Sequence, residues 1–228
     1  MLYTRPKFRI MGDRSFLVEL GEGISRQINQ KVRALFVEMA GHNLKGIKEV
    51  VPGYRSLMVV YDPLVSSFRS LKSHIINIWH TVDEARLPRP RIVEIPVAYG
   101  DEFGPDLGWV AGYLKITPEA VIQLHTEPIY RVYMIGFMPG YPYMGEVVDS
   151  LVTPRRETPR THVMQGSVGI AQKQTGIYPV TSPGGWQIIG RTPIRLFDPQ
   201  KNPPSFLEMG DQVKFYAITA REMSKWRP

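Results

Sequence analysis

The chain opens with alternation and then changes period. Phe16, Val18 and Leu20 fall on one face of Arg14 to Leu20, which predicts a strand. Ile24, Ile28, Val32, Leu35 and Met39 recur at helical spacing, so Ile24 to Ala40 reads as an amphipathic helix. Short strands follow at Gly46 to Val51 and Ser56 to Tyr61, separated by the turn Val51-Pro52-Gly53-Tyr54. Ser67 is a predicted N-cap for a helix with Phe68, Leu71, Ile75 and Ile78 inward. The resulting β-α-β-β-α order is ferredoxin-like if Arg91 to Pro96 supplies the last strand.

Leu87-Pro88-Arg89-Pro90-Arg91 is stiff and charged, and so reads as a linker. The expected division is an α/β domain over residues 1–88 and a second domain over 89–228. In the second domain, Gly104-Pro105-Asp106 starts a short helix. Thr117-Pro118-Glu119 starts another, with Thr as cap and Pro in the first turn, ending near His125. Beyond Tyr130 the texture shifts. Residues 136–212 hold ten of the chain's 20 Gly and ten of its 20 Pro, a density that would suit disorder. Interleaved Tyr, Phe, Trp, Val and Ile favour short strands joined by tight turns instead, as in a β-barrel or sandwich. The clearest are Tyr130 to Ile135, Ser167 to Ala171, Gln187 to Ile189, Ile194 to Phe197 and Gln212 to Ile218.

Composition removes several function classes. No cysteine is present, which excludes disulfides, thiolate metal sites and a cysteine nucleophile. The five histidines show no metal-ligand spacing, and no metal is expected. A net charge of +7 favours anionic partners, but the Lys and Arg residues are scattered and form no nucleic-acid motif. A small carboxylate or phosphate is the expected ligand. No apolar run approaches the ~20 residues that span a bilayer. Met1 to Ile10 lacks a secretory apolar stretch, so a cytoplasmic protein without membrane contact is expected. Nucleotide-binding glycine loops and the Gly-x-Ser-x-Gly elbow are missing.

Three segments carry candidate chemistry. Gly136 to Gly145 (GFMPGYPYMG) fixes its backbone with Gly and Pro and displays aromatics, Phe137 among them, as a wall for a ligand or partner. Thr153 to Thr161 repeats Thr-Pro-Arg. Its Arg155 and Arg160 offer planar donor forks for carboxylate or phosphate. Gln174, Thr175, Tyr178, Gly184, Gly185 and Trp186 bring amide, hydroxyl, aromatic and open-backbone groups close in sequence, the usual mix of a binding pocket. His125, whose ordinary pKa lies near neutrality, is the candidate general acid/base.

These segments together resemble the KipI/5-oxoprolinase B-type family, also described as allophanate hydrolase subunit 1 or the C and D subdomains of a carboxyltransferase domain. The resemblance runs in order through Val51 to Leu57, Ile95 to Gly100, Pro105-Asp106-Leu107 and GFMPGYPYMG. It continues through Pro154-Arg155-Arg156, Thr158-Pro159-Arg160, QTGIYPV, SPGGWQIIGRTP and Gly210 to Val213. Met138, Tyr141 and Met164-Gln165 depart from the family's usual residues. The resemblance implies an α+β architecture in which a cyclophilin-like β-barrel follows the ferredoxin-like domain. It implies one component of an ATP-dependent lactam hydrolase that opens 5-oxo-L-proline to L-glutamate and is inactive alone. ATP would be bound with the partners, which are a companion C-type 5-oxoprolinase subunit (KipA-like) and an A-type one. Relatives imply two alternatives, a KipI-like inhibitor that binds a sensor histidine kinase and a component of a biotin-dependent urea carboxylase/allophanate hydrolase.

Overall fold

The computed structural model describes residues 1–84 and 87–227. Two compact units divide the chain, Met1–Arg89 and Pro90–Pro228.

The first unit is an antiparallel four-stranded sheet with two helices. Its strands are β1 (Leu2–Ile10), β2 (Ser15–Gly21), β3 (Ile47–Pro52) and β4 (Ser56–Tyr61), in the order β1-β2-β4-β3. Helices α1 (Arg26–Gly41) and α2 (Phe68–Thr81) pack on it. The inward faces match the periodicity. Phe16, Val18 and Leu20 of β2 are fully buried, as are Val32 and Leu35 of α1 and Ile75 of α2. Ser67 caps α2 by accepting from the Ser70 backbone N–H. The fourth strand differs from expectation. Leu2–Ile10 supplies it, whereas Arg91 to Pro96 belongs to the second unit. β1 carries Pro6 and three basic residues, a composition that hides a strand in the sequence but suits a sheet edge.

The second unit is a closed barrel. Its strands are β5 (Ile92–Tyr99), β6 (Ile129–Ile135), β7 (Pro142–Gly145), β9 (Ser167–Ala171), β10 (Gln174–Ile177), β12 (Gln187–Arg191) and β13 (Gln212–Ile218). Around the barrel the order is β10-β7-β6-β13-β5-β12-β9, and β10 pairs with β9 to close it. All pairs are antiparallel except β5 with β13. Strands β8 (Arg160–Val163) and β11 (Ser182–Gly184) form a separate ribbon. Inward side chains fill the barrel, as expected for so few strands. Val97, Val132, Met144, Val168, Ile170, Ile189 and Phe215 are completely buried there.

Helices α3 (Leu107–Leu114) and α4 (Pro118–Thr126) contact the barrel strands, and α5 (Ala220–Lys225) follows β13. Thr117 caps α4 by accepting from the Ala120 N–H, with Pro118 in the first turn. Ile194 to Phe197 does not form a strand. Its only ladder-like pairing among the described residues is an isolated bridge from Phe197 to Ser205. Pro193 and Pro199 flank it and donate no hydrogen bonds, and every barrel strand already has two neighbours.

Candidate functional site

The glycine- and proline-rich loop between β6 and β7 is held by its own backbone. Gly136 N–H donates to Tyr141 C=O at 3.1 Å, and Tyr141 N–H to Met138 C=O at 3.1 Å. Phe137 sits at φ 66° and is 65% exposed, so the loop turns its ring outward. Tyr141 goes inward, 1% exposed, and centres an aromatic cluster. Its ring lies 4.8 Å from Tyr143, 5.2 Å edge-on to Tyr178, 5.9 Å from Trp186 and 5.7 Å from Phe137. Such tilted and edge-on geometries are the favourable ones. Glycines make the space. A Cβ on Gly176 would lie 2.6 Å from the Tyr141 hydroxyl, and one on Gly184 would collide with the Tyr178 hydroxyl.

Burial raises the pKa of both Tyr143 and Tyr178. The Arg155 charge opposes the rise at each, and hydrogen bonds from the Trp186 backbone and the Tyr141 side chain oppose it at Tyr178. Both phenols therefore remain neutral near pH 7 and keep a proton to donate.

Beside this cluster, the loop after the 3-10 turn Asp149–Leu151 is pinned by one carboxylate. Asp106 occupies the N-cap position of α3 but makes no capping bond. Its carboxylate is 3% exposed and accepts four hydrogen bonds. Arg160 binds it through both terminal nitrogens at 2.7 Å, Arg156 at 3.0 Å, and the Ile188 N–H at 2.7 Å. Arg156 N–H also donates to Gly185 C=O at 2.8 Å. Arg160 therefore holds the loop and does not present a free fork. Arg155, one residue before this clamp, is exposed and makes no ion pair among the described residues.

His125 lies elsewhere. It is fully buried in the barrel unit, where its ring stacks 4.7 Å from Phe215. Its Nδ1 lies 2.7 Å from the Tyr99 hydroxyl and its Nε2 2.9 Å from Thr175 Oγ1, which donates to Gly169 C=O at 3.2 Å. The chain has one consistent direction: Tyr99 O–H to Nδ1, Nε2–H to Thr175, Thr175 O–H to Gly169. Burial lowers the His125 pKa to about 3, so the ring is neutral at physiological pH. The expected general acid/base is thus a saturated interior histidine, because desolvation has taken its proton and both nitrogens have partners. Thr175 is drawn into the same interior chain, away from the aromatic cluster. Gln174, two residues from Gly176, shares the opposite face of β10 with it.

Beside the Asp106 clamp lies an open cleft of about 410 Å³, formed by Trp109, Gln187 and residues 154–158. Trp109 stacks on Tyr113 one helical turn away, centroids 5.2 Å apart, and both rings are about half exposed. Of the residues expected from the sequence, Arg155 lines this cleft; Phe137, Tyr178 and Trp186 surround Tyr141 in the aromatic cluster, Gly184 lies against Tyr178, and Gly185 C=O accepts from Arg156 N–H. Sequence reasoning singled out the segments that carry Arg156, Tyr141, Tyr143 and Gln187, but not Asp106 as the clamp or Trp109 beside the cleft. The Trp109–Tyr113 spacing on a short helix was a readable signal, but the convergence on Asp106 spans some fifty residues and leaves no local pattern. Among the described residues no three His, Asp or Glu side chains gather to hold a metal ion. None of the described helices is long and apolar enough to cross a membrane.

The sequence matches the family described as "Carboxyltransferase domain, subdomain C and D" over residues 6–207. It is 41% identical to the B-type 5-oxoprolinase subunit of Bacillus subtilis, covering 98% of each chain. With the B-type 5-oxoprolinase subunit of Haemophilus influenzae it shares 50% identity, over 74% of this chain and 78% of the relative. The crystal structure of TTHA0988 superposes with a TM-score of 0.81 at 38% identity, covering 91% of this chain. This chain spans only 40% of the length of TTHA0988. The chain belongs to the carboxyltransferase C and D subdomain family, within the group that includes the B-type 5-oxoprolinase subunits.

Proposed function

We propose that this family member is the B-type component of an ATP-dependent 5-oxoprolinase, opening the lactam of 5-oxo-L-proline to L-glutamate only in company with C-type and A-type subunits. The observation that carries the reading is the end-to-end 41% identity to a B-type 5-oxoprolinase subunit.

The local chemistry is compatible with a share in that reaction. Lactam hydrolysis adds water across the ring amide and breaks its C–N bond, and negative charge gathers on the carbonyl oxygen on the way. Arg155 offers a free guanidinium for the substrate's carboxylate or for that charge, and Tyr143 and Tyr178 offer neutral hydroxyl donors. Arg160 and Arg156 act through Asp106 as positioning residues. Trp186 and Phe137 wall the region, while Gly184 and Gly185 keep its backbone open.

The residues present do not fit a nucleoside triphosphate. Around the cleft, Arg155, Arg156 and Arg160 stand against Asp106 and Glu157, one net positive charge in all. That suits a single carboxylate, and on this reading ATP belongs to the companions. No general acid/base set is complete among the described residues, so the reading puts the reacting centre where this surface meets a companion.

The test is ATP-dependent glutamate formation from 5-oxoproline, with this chain alone, with the companions alone and with all together. Turnover only in the complete mixture supports the reading. Turnover by the companions without this chain, or none in the full mixture of folded proteins, sinks it. Saturable binding to a histidine kinase without companions would put the inhibitor reading in its place, and dependence on a biotinylated carrier the carboxylase one.

A further inference from the structure

Charge is unevenly shared between the two units. Residues 1–89 hold 14 of the 28 Lys and Arg but only 8 of the 21 Asp and Glu, so the first unit carries six of the chain's seven net positive charges. Such asymmetry points to an anionic surface as partner. At one end of the first unit's sheet, apolar side chains stand in water among these cations. The turn after β1 and the loop 62–67 after β4 are neighbours there, because Ser15 of β2 pairs with Val60 of β4 and Arg14 C=O accepts from Tyr61 N–H at 2.8 Å. Leu64 is 96% exposed and Ile10 67%, with Met11 and Val65 about half exposed. Local bonds hold the loop in this form. Asp62 accepts from Leu64 N–H through its carboxylate at 3.1 Å, and from Val65 and Ser66 N–H through its C=O. Four exposed cations border the loop. Ser66 Oγ donates to Lys45 C=O at 2.7 Å, Lys48 pairs with Asp62 at 3.6 Å, Arg69 lies in the first turn of α2, and Arg14 adjoins Tyr61. The carboxylates of the two loops are Asp13 and Asp62. One exposed leucine is ordinary, but four aliphatic side chains at one basic tip mark an interaction site.

We infer that this tip seats the first unit on an anionic lipid surface, with Leu64, Val65, Ile10 and Met11 entering the headgroup layer and Arg14, Lys45, Lys48 and Arg69 meeting the lipid anions. Adhesion of this kind grows with the apolar area that enters and with the number of cations at the surface. It needs no spanning segment, so helices that cannot cross a membrane do not oppose it. It does oppose the expectation of no membrane contact, which rested on the lack of a spanning or secretory stretch. The aliphatic character of the tip decides against a nucleic acid, whose binding surfaces pair cations with aromatic platforms. The contact lies outside the barrel unit and owes nothing to the proposed reaction.

Sedimentation of the full chain with phosphatidylcholine vesicles tests it, with and without about one-third phosphatidylserine, at about 0.1 M salt. Binding is expected only where phosphatidylserine is present. Leu64→Ser, at a fully exposed position, should weaken it about tenfold. Lys45→Glu with Arg69→Glu should weaken it at least about twentyfold. Arg221→Glu with Lys225→Glu makes the same change in net charge on the second unit and should cost less than about threefold. Because the chain has no cysteine, Leu64→Cys takes a single polarity-sensitive dye, and its emission should shift to the blue on the vesicles. The same dye at Lys201→Cys, exposed on the second unit, should not shift. No sedimentation with phosphatidylserine overturns the inference. Equal losses from the two charge-reversed pairs, or a dye at residue 64 that stays in water while the protein sediments, overturn it in favour of unspecific attraction. Duplex DNA bound more tightly than the vesicles, with no effect of Leu64→Ser, overturns it in favour of a polyanion surface.

Discussion

The barrel unit holds two groups of polar side chains, and they are finished to different degrees. In the interior, Tyr99, His125, Thr175 and Gly169 form a chain in which every donor meets an acceptor. In the loop clamp, Asp106 is equally saturated, but the loop it holds carries Arg155, a cation without a counter-ion among the described residues, and the neighbouring Gln187 Oε1 is sealed without a donor among them. A histidine attracts attention in a sequence because its ordinary pKa is near 7. Here its environment has silenced it, and an exposed charge without a counter-ion among the described residues sits on Arg155 instead. Full saturation of buried polar groups marks the scaffold.

Four experiments separate these roles. Asp106→Ala leaves two half-buried guanidiniums without their carboxylate and the Ile188 N–H without its acceptor. It should lower unfolding stability in urea by about 3 kcal/mol and expose residues 154–160 to proteases. If stability and protection both persist, the clamp is not structural.

The interior chain should reveal itself through pH. The folded-state pKa of His125 is depressed to about 3 and its unfolded value is near 6.5. The unfolded chain therefore binds a proton that the folded chain refuses. Stability is complete above about pH 6.5 and is lost as pH falls towards 3, by roughly 1.4 kcal/mol per pH unit. Between pH 6.5 and 5 the loss should be about 2 kcal/mol, and His125→Phe should flatten it. An identical slope in the variant would contradict the interior assignment.

Gly176→Ala, which presses a methyl group on the Tyr141 hydroxyl, should cost at least about 1 kcal/mol and shift near-ultraviolet circular dichroism from the aromatic cluster. An unchanged spectrum would show that the rings have room to move. Arg155→Ala sits at the small end. Stability should stay within about 0.5 kcal/mol while turnover of the complete complex falls at least tenfold. A stability loss as large as that of Asp106→Ala would make Arg155 another brace.

Much of the architecture was legible because burial and period agree locally. Phe16, Val18 and Leu20, or Ile28, Val32 and Leu35, announce their faces without reference to the rest of the chain. The failures are elements decided by distant partners. Ile92–Tyr99 joins the barrel because it lies parallel to Gln212–Ile218, a pairing that Pro96 tolerates and no local pattern announces. Ile194 to Phe197 has strand composition but no ladder left to join. The site divides in the same way. The aromatic loop and the Thr-Pro-Arg repeat stood out through their own residues. Asp106 resembled an ordinary helix start until Arg156 and Arg160 were placed against it. Thr175 and Gln174 were neighbours in sequence and became separated by the alternation of a strand.

The parallel pair β5–β13 also sets a schedule for synthesis. β5 follows the first unit directly, yet one of its two neighbours is the barrel strand made last, with residues 100–211 between them. The first unit has its whole sheet by Tyr61 and its second helix by Thr81. It has what it needs to fold while the ribosome is still at work. The barrel must wait with an open seam until Ile218 leaves the exit tunnel, its apolar strands exposed to chaperones and proteases throughout. A stalled or truncated message would therefore yield a sound first unit attached to a barrel that never shuts.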